Sequence, residues 1–373
     1  MSARKGINRA AQSLTTLSKE EQEVHRYSIA IATHPDNAPG NRYTGVEPYD
    51  RTLVNVGCGD DSCEPTGRYL NASWVRELYG GKWWIATQAP LPETFHAYLS
   101  MIFQPTSHPP AEFHPRPKSF RATDSSRIRT IVVLTRNMEG GRRKAHPYVP
   151  TTEGDTLVSP PEEGVDAPSY EVTLVKATSI EEAHAVQSIV AIQPIDSSGA
   201  PIGEPVTFNH LFFSDWPDHG VPEAEYHVGL LKFVKLVDEV NRDISLQPAA
   251  SRAGLDPDPP IMINCSAGVG RTGTFIALSS LLREAGMLRP VASTVHDASA
   301  ALPELEPSLL GPLPEQYKED KAAQEVDALR EQRTMMVQKE DQMGFLYDSL
   351  LLAYELEKKG SDTASIASRR TSK

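Results

Sequence analysis

Residues 264–275 read Asn-Cys-Ser-Ala-Gly-Val-Gly-Arg-Thr-Gly-Thr-Phe, and no other stretch constrains the fold as much. The apolar segment Pro260–Asn264 leads into it and the apolar run Phe275–Leu282 leads out. A buried strand, a glycine-rich turn and a helix are therefore expected in succession. Gly268, Gly270 and Gly273 let the backbone curl with its N–H groups inward, and the positive end of the following helix faces the same point. An anion belongs at that point. A free cysteine titrates near ~8.5, but inward N–H groups, a helix N-terminus and Arg271 all favour its charged form, which makes Cys265 a candidate nucleophile. Arg271 has the planar fork needed to grip two oxygens of a phosphoryl group. The Thr272 hydroxyl is in place to hydrogen-bond the sulfur.

A nucleotide-binding loop of Walker type does not fit, because that loop ends in Gly-Lys-Ser/Thr and has no use for a cysteine. The Cys265-x5-Arg271-Thr272 pattern instead resembles the signature of the protein tyrosine phosphatases, and the chain as a whole resembles the non-receptor members of that family. Trp216-Pro217-Asp218-His219-Gly220-Val221-Pro222 resembles that family's mobile acid loop, upstream of the nucleophile as the family order requires. The resemblance implies that Asp218 is the general acid that protonates a departing phenolate, help typically worth ~10²–10⁴-fold. Gly40-Asn41-Arg42-Tyr43 with Pro48-Tyr49-Asp50 resembles the phosphotyrosine-recognition loop. Tyr43 would then wall a deep pocket in which a phosphoserine or phosphothreonine stops short of Cys265.

Further roles follow from the same resemblance. Ser266, Ala267, Gly268, Val269 and Gly270 would line the phosphate site. Glu139 would anchor Arg271, and Lys144 would stand near the acid loop. The run Arg333–Gln342 resembles the loop carrying the family's two glutamines, so Gln338 would hold the hydrolytic water, Gln342 would assist, and Asp218 would accept the water's proton. No metal or cofactor is implied. The chain also departs from the family: Gly40 stands where a lysine is usual, Gly45 where an acid holds the substrate peptide, Ala145 where a cysteine is usual, and Val149 within a Tyr-Trp-Pro motif. Asn264 replaces the histidine that usually precedes the nucleophile. An amide is never a cation, so we expect Cys265 to be activated but less acidic by on the order of one unit.

The expected fold is α/β, a twisted mixed β-sheet flanked by α-helices. Length would allow two domains, but Tyr43, Glu139, Asp218, Cys265 and Gln338 must meet at one phosphate. We therefore expect an N-terminal extension or helix over 1–24, one catalytic domain over 25–357 and a disordered tail over 358–373. Proline-rich or polar insertions are expected near 105–126, 151–169 and 286–319. Leu230, Leu231, Val234, Val237 and Val240 lie close to helical spacing within 223–241, and Ile131–Thr135 reads as a buried strand. A formal net charge of -12 argues against broad nucleic-acid binding. No apolar run approaches the ~20 residues of a membrane span, and Met1–Gln12 has no apolar signal core. Three cysteines make no disulfide framework, and Cys58 and Cys63 flank an acidic loop without a nearby histidine. A catalytic thiolate needs reducing surroundings, which points to a cytoplasmic or also nuclear monomer acting on phosphotyrosine-containing proteins. The alternatives are a catalytically weak phosphotyrosine-binding module and a dual-specificity phosphatase.

Overall fold

The computed structural model describes residues 24–57, 67–103, 127–218, 220–249, 252, 255–292, 305 and 307–371, the last twelve as backbone. The N-terminal extension up to residue 23, the insertion at 105–126, the middle of the 286–319 insertion, and Cys58 and Cys63 lie outside these residues.

Among the described residues nine strands form one sheet. They are β1 (Leu53–Val56), β2 (Arg68–Arg76), β3 (Trp83–Thr87), β4 (Thr130–Val133), β7 (Thr156–Ser159), β8 (Ser169–Ile180), β9 (Ala185–Ile195), β10 (Val206–Phe213) and β11 (Ile261–Asn264). Two short strands, β5 (Met138–Glu139) and β6 (Arg142–Arg143), make a separate ribbon. The sheet order is β1-β2-β3-β11-β4-β10-β9-β8-β7. Its centre is parallel, with β11 between β3 and β4 and β10 beside β4. Both flanks are antiparallel. The sequences follow this division. Ile-Met-Ile-Asn of β11 and Thr-Ile-Val-Val of β4 are buried at every position, as strands covered on both faces must be. The outer β8 and β9 alternate buried with partly exposed residues, the period-two pattern of a half-solvated sheet.

Among the described residues five helices flank the sheet: α1 (Phe95–Phe103), α2 (His227–Arg242), α3 (Gly270–Glu284), α4 (Lys321–Gln332) and α5 (Glu340–Thr371), the last packed on α3 and α2. On one side the core gathers Trp84, Trp216, Leu230, Val234 and Phe275. On the other it gathers Leu70, Tyr98, Leu99, Ile131, Phe208 and Met262. Leu230, Leu231, Val234 and Val237 form the buried stripe of α2, as their spacing predicts. Helix α3 is buried from Gly270 to Arg283. Two of its buried polar side chains pair inward: Ser280 donates to Glu325 at 2.5 Å, and Arg283 donates to Glu77 at 3.3 Å and to Asp238 at 2.9 Å.

Two expectations from composition change. The segment 151–169 supplies β7, which pairs with β8 at the sheet edge, because its Thr-Leu-Val-Ser stretch is a short β-former between the turn residues. The tail expected to be disordered continues α5 through Thr371. Residues 361–371 contain no proline, and extending an established helix avoids the cost of nucleating one.

The parallel centre decides where chemistry is possible. Strands β3, β11, β4 and β10 all end on the same edge, so the segments that follow them converge there, as in other open α/β sheets. Those segments contain Gln88–Pro92, the Cys265 turn, Glu139 and Lys144, and the Asp218 loop.

Candidate active site

The turn after β11 is shaped by its neighbours. Gly268 adopts φ +72°, and a Cβ there would lie 2.2 Å from the Thr87 carbonyl oxygen, so only glycine fits against the end of β3. Leu134 donates from its backbone to Asn264 O at 2.9 Å, and Ala89 to Ser266 O at 3.0 Å. With these outer carbonyls held, N–H groups turn inward. The Gly268 N–H points at Cys265 Sγ across 3.3 Å.

Cys265 is 3% exposed. Burial alone would push its thiol up, but the Arg271 charge, the Thr272 hydroxyl and the backbone N–H groups of Thr272 and Val269 outweigh it, so the pKa is lowered. Thr272 Oγ1 is buried with no hydrogen-bond partner of good geometry, which leaves it available to the sulfur.

Arg271 joins the segments after three strands. It donates to Glu139 Oε1 at 2.8 Å and Oε2 at 3.1 Å, a two-pronged contact. It also donates to Trp216 O at 3.0 Å and Asp218 Oδ1 at 3.1 Å. Glu139 is fixed in turn by Thr135 Oγ1 at 2.9 Å and the Arg136 N–H at 3.0 Å. Lys144 donates from Nζ to Asp218 Oδ2. The Asp218 loop is seated by Trp216, which is 1% exposed and donates from its indole to Gly220 O at 3.0 Å.

The remaining expected residues lie around this centre. Ser266 Oγ donates to Lys144 O at 2.9 Å and accepts from the Tyr43 hydroxyl at 2.8 Å, so the Tyr43 ring stands over the turn. Gln88 positions that tyrosine's loop by accepting from Arg42 N at 2.9 Å and donating to Gly40 O at 2.7 Å. On the far side, a Cβ on Gly270 would lie 3.0 Å from the Gln342 amide and 3.4 Å from Gln338 Cβ, so both glutamines pack on the turn. Val337, left-handed at φ 54°, donates to Val269 O at 3.2 Å and sets the approach of Gln338.

Arg333 was not among the expected site residues. It is fully buried and donates to Gly268 O at 2.8 Å, Ala267 O at 3.2 Å, Asn71 Oδ1 at 2.7 Å and Ser73 Oγ at 3.1 Å. It makes no ion pair among the described residues, and burial lowers its pKa to about 10. Its place beside Gln338 in the chain was the only cue in the sequence. Among the described residues no cluster of three His, Cys, Asp or Glu stands where it could hold a metal ion. No described helix is long and apolar enough to cross a membrane.

A thiolate-favouring turn, a doubly anchored arginine and a carboxylate above them suit phosphoryl transfer to sulfur. Comparison with known proteins agrees. The family model described as protein-tyrosine phosphatase matches residues 37–108 and 120–296. Receptor-type tyrosine-protein phosphatase eta of Mus musculus is 30% identical over 261 residues, 69% of this chain and 16% of its own length. Tyrosine-protein phosphatase non-receptor type 14 of Homo sapiens is 27% identical over 333 residues, 87% of this chain and 21% of its own length. Receptor-type tyrosine-protein phosphatase H of Homo sapiens is 29% identical over 327 residues, 88% of this chain and 22% of its own length. The chain thus spans less than a quarter of these relatives and resembles receptor and non-receptor types alike. With the matched model covering most of the residues that build the site, the chain belongs to the protein-tyrosine phosphatase family.

Proposed function

We propose that this chain hydrolyses phosphotyrosine in proteins through a phosphocysteine intermediate. Cys265 Sγ attacks phosphorus as the phosphorus–oxygen bond to the tyrosine breaks, and Asp218 gives its proton to the departing phenolate. A water held by Gln338, with Gln342 assisting, then attacks the phosphocysteine and passes a proton to Asp218. The phosphorus–sulfur bond breaks, phosphate leaves and the thiolate is restored. Arg271 grips two phosphoryl oxygens throughout, and the inward N–H groups from Ser266 to Gly270 bind the rest. The Tyr43 ring gives the pocket the depth that an aryl phosphate needs. Glu139 anchors Arg271, and Lys144 holds the acid loop.

The observation that carries this reading is the meeting of Arg271 with Glu139 and Asp218 beside an acidified Cys265. A thiolate nucleophile also needs a reducing compartment, so we place the protein in the cytoplasm, with the nucleus also open to it. The decisive assay compares phosphotyrosine peptides, phosphoserine peptides and phosphoinositides as substrates of the wild type, Cys265→Ser and Asp218→Ala. Phosphotyrosine turnover should vanish in the first variant, because a serine hydroxyl has no base here to activate it. It should fall ~10²–10⁴-fold in the second while binding persists. Binding without turnover in the wild type would instead make the chain a phosphotyrosine-binding module, and equal rates on phosphoserine would make it dual-specific.

A further inference from the structure

Asn264 closes β11 and is fully buried. Its Nδ2 lies 3.2 Å from Cys265 O and its Oδ1 lies 2.8 Å from the Tyr98 hydroxyl. The chemistry of the neighbours settles which way each bond runs. A carbonyl oxygen can only accept, so the amide nitrogen must face Cys265 O; a flipped amide would set two oxygens against each other. Oδ1 then faces Tyr98, and the Tyr98 hydroxyl must donate. Its own oxygen is left to accept from the Tyr148 hydroxyl, 3.4 Å away. The line of donors runs one way, from Tyr148 through Tyr98 and Asn264 to the backbone of the cysteine.

No member of this line carries charge near neutral pH. Burial holds Tyr98 and Tyr148 above the ordinary phenol range. His210 meets the Tyr148 ring at 5.6 Å and is lowered to about 4 by burial, so it is neutral as well.

We infer that Tyr98 is a positioning residue for the nucleophile. It locks the Asn264 amide in the orientation that holds the Cys265 carbonyl, and so fixes the turn out of β11 through an uncharged line of hydrogen bonds. Tyr98 lies on α1, across the sheet face from α3, and acts only through Asn264. The inference rests on Cys265 being the nucleophile proposed above.

The test follows Cys265 itself. Alkylation by iodoacetate is measured against pH in the wild type, Tyr98→Phe, Asn264→Ala and the double variant, with kcat and KM on a phosphotyrosine peptide beside it. Tyr98→Phe should slow alkylation at neutral pH by about two- to tenfold, the range spanned by one neutral hydrogen bond, and lower kcat with little change in KM. The double variant should be no slower than Asn264→Ala alone, because both changes break the same line. A wild-type alkylation curve in Tyr98→Phe, or effects that add in the double variant, would overturn the inference. If Tyr98→Phe does not fold, as judged by its thermal melt, Asn264→Asp decides: a carboxylate cannot donate to Cys265 O, so its curve must move to higher pH, and coincidence with the wild type sinks the idea. A wild type that alkylates readily yet hydrolyses no phosphotyrosine would defeat the proposed activity and leave this series readable.

Discussion

Arg271 and Asp218 are in direct contact, Nη2 to Oδ1 at 3.1 Å, although Glu139 already holds the same guanidinium through both terminal nitrogens, that Nη2 included. A side chain shared between two carboxylates takes its position from the balance between them. Removing the Glu139 charge should let Arg271 swing toward the acid loop and lose its pose for phosphate. We expect Glu139→Gln to lower kcat/KM by roughly 10- to 150-fold, the equivalent of the ~1.5–3 kcal/mol a charged hydrogen bond supplies. Steady-state kinetics on an aryl phosphate reads this directly; an unchanged kcat/KM would show that Arg271 needs no anchor.

The cysteine's acidity has identifiable sources. Burial opposes the thiolate, and the Arg271 charge is the largest influence on the other side. Because the pKa is lowered, alkylation should persist below the pH where an ordinary cysteine, near ~8.5, becomes unreactive. Arg271→Ala should move the alkylation curve upward. Arg333→Met should do the same, since it removes a buried cation and frees the Gly268 and Ala267 carbonyls that keep the N–H groups turned inward. If the Arg333→Met curve overlays the wild type in a folded protein, that arginine is scaffold only.

Gly268→Ala tests the shape of the turn. The new methyl would have to displace the Thr87 backbone and sit at φ +72°. A left-handed conformation alone costs a non-glycine residue roughly 1–2 kcal/mol, and the backbone clash adds to that. Both the melting temperature and turnover should fall. A variant with wild-type stability would mean that the end of β3 yields more easily than its buried ladder suggests.

Glu325 supplies a pH-dependent test of the core. Burial, opposed by hydrogen bonds from Ser280 and the Leu78 and Tyr79 N–H groups, raises its pKa to about 8 from 4.5. A carboxylic acid whose folded pKa is raised stabilises the fold fully below its unfolded value and loses that contribution as pH rises through the folded value. Stability should therefore decline between about 4.5 and about 8 on account of this residue. Glu325→Gln should flatten that decline, seen in melts across the same window. An equal slope in both proteins would show that Glu325 stays ionised, held by its donors.

Much of the candidate site could be named from the sequence because the residues that the structure gathers there lie in contiguous motifs. Cys265, Arg271 and Thr272 share one loop, and Asp218 sits among residues that suit little else. The central strands were legible as well, since Ile131–Val133 and Ile261–Asn264 are apolar at nearly every position, the mark of burial on both faces. Arg333 and Tyr98 were not. One is an arginine at the end of a charged helix, the other an aromatic in an apolar one, and only the fold brings them against the Cys265 turn. The edge strand β7 was hidden for a different reason, because four residues among prolines and glycines carry too little pattern to outweigh their surroundings. The helical continuation beyond residue 358 depends on the long helix before it, which composition counted residue by residue does not register.

The placing of β11 also bears on the order in which this molecule comes into being. Ile261 pairs with Trp84 and Met262 with Ile131, partners made far earlier in the chain. Bringing together partners so distant in sequence carries a loop-closure cost that local contacts do not. Until that last strand slides between its two neighbours, Cys265 has no inward N–H groups, no Arg271 in register and no helix end behind it. The acidity of Cys265 is therefore a property of the assembled sheet and not of the motif alone, and an unfolded chain carries only an ordinary thiol.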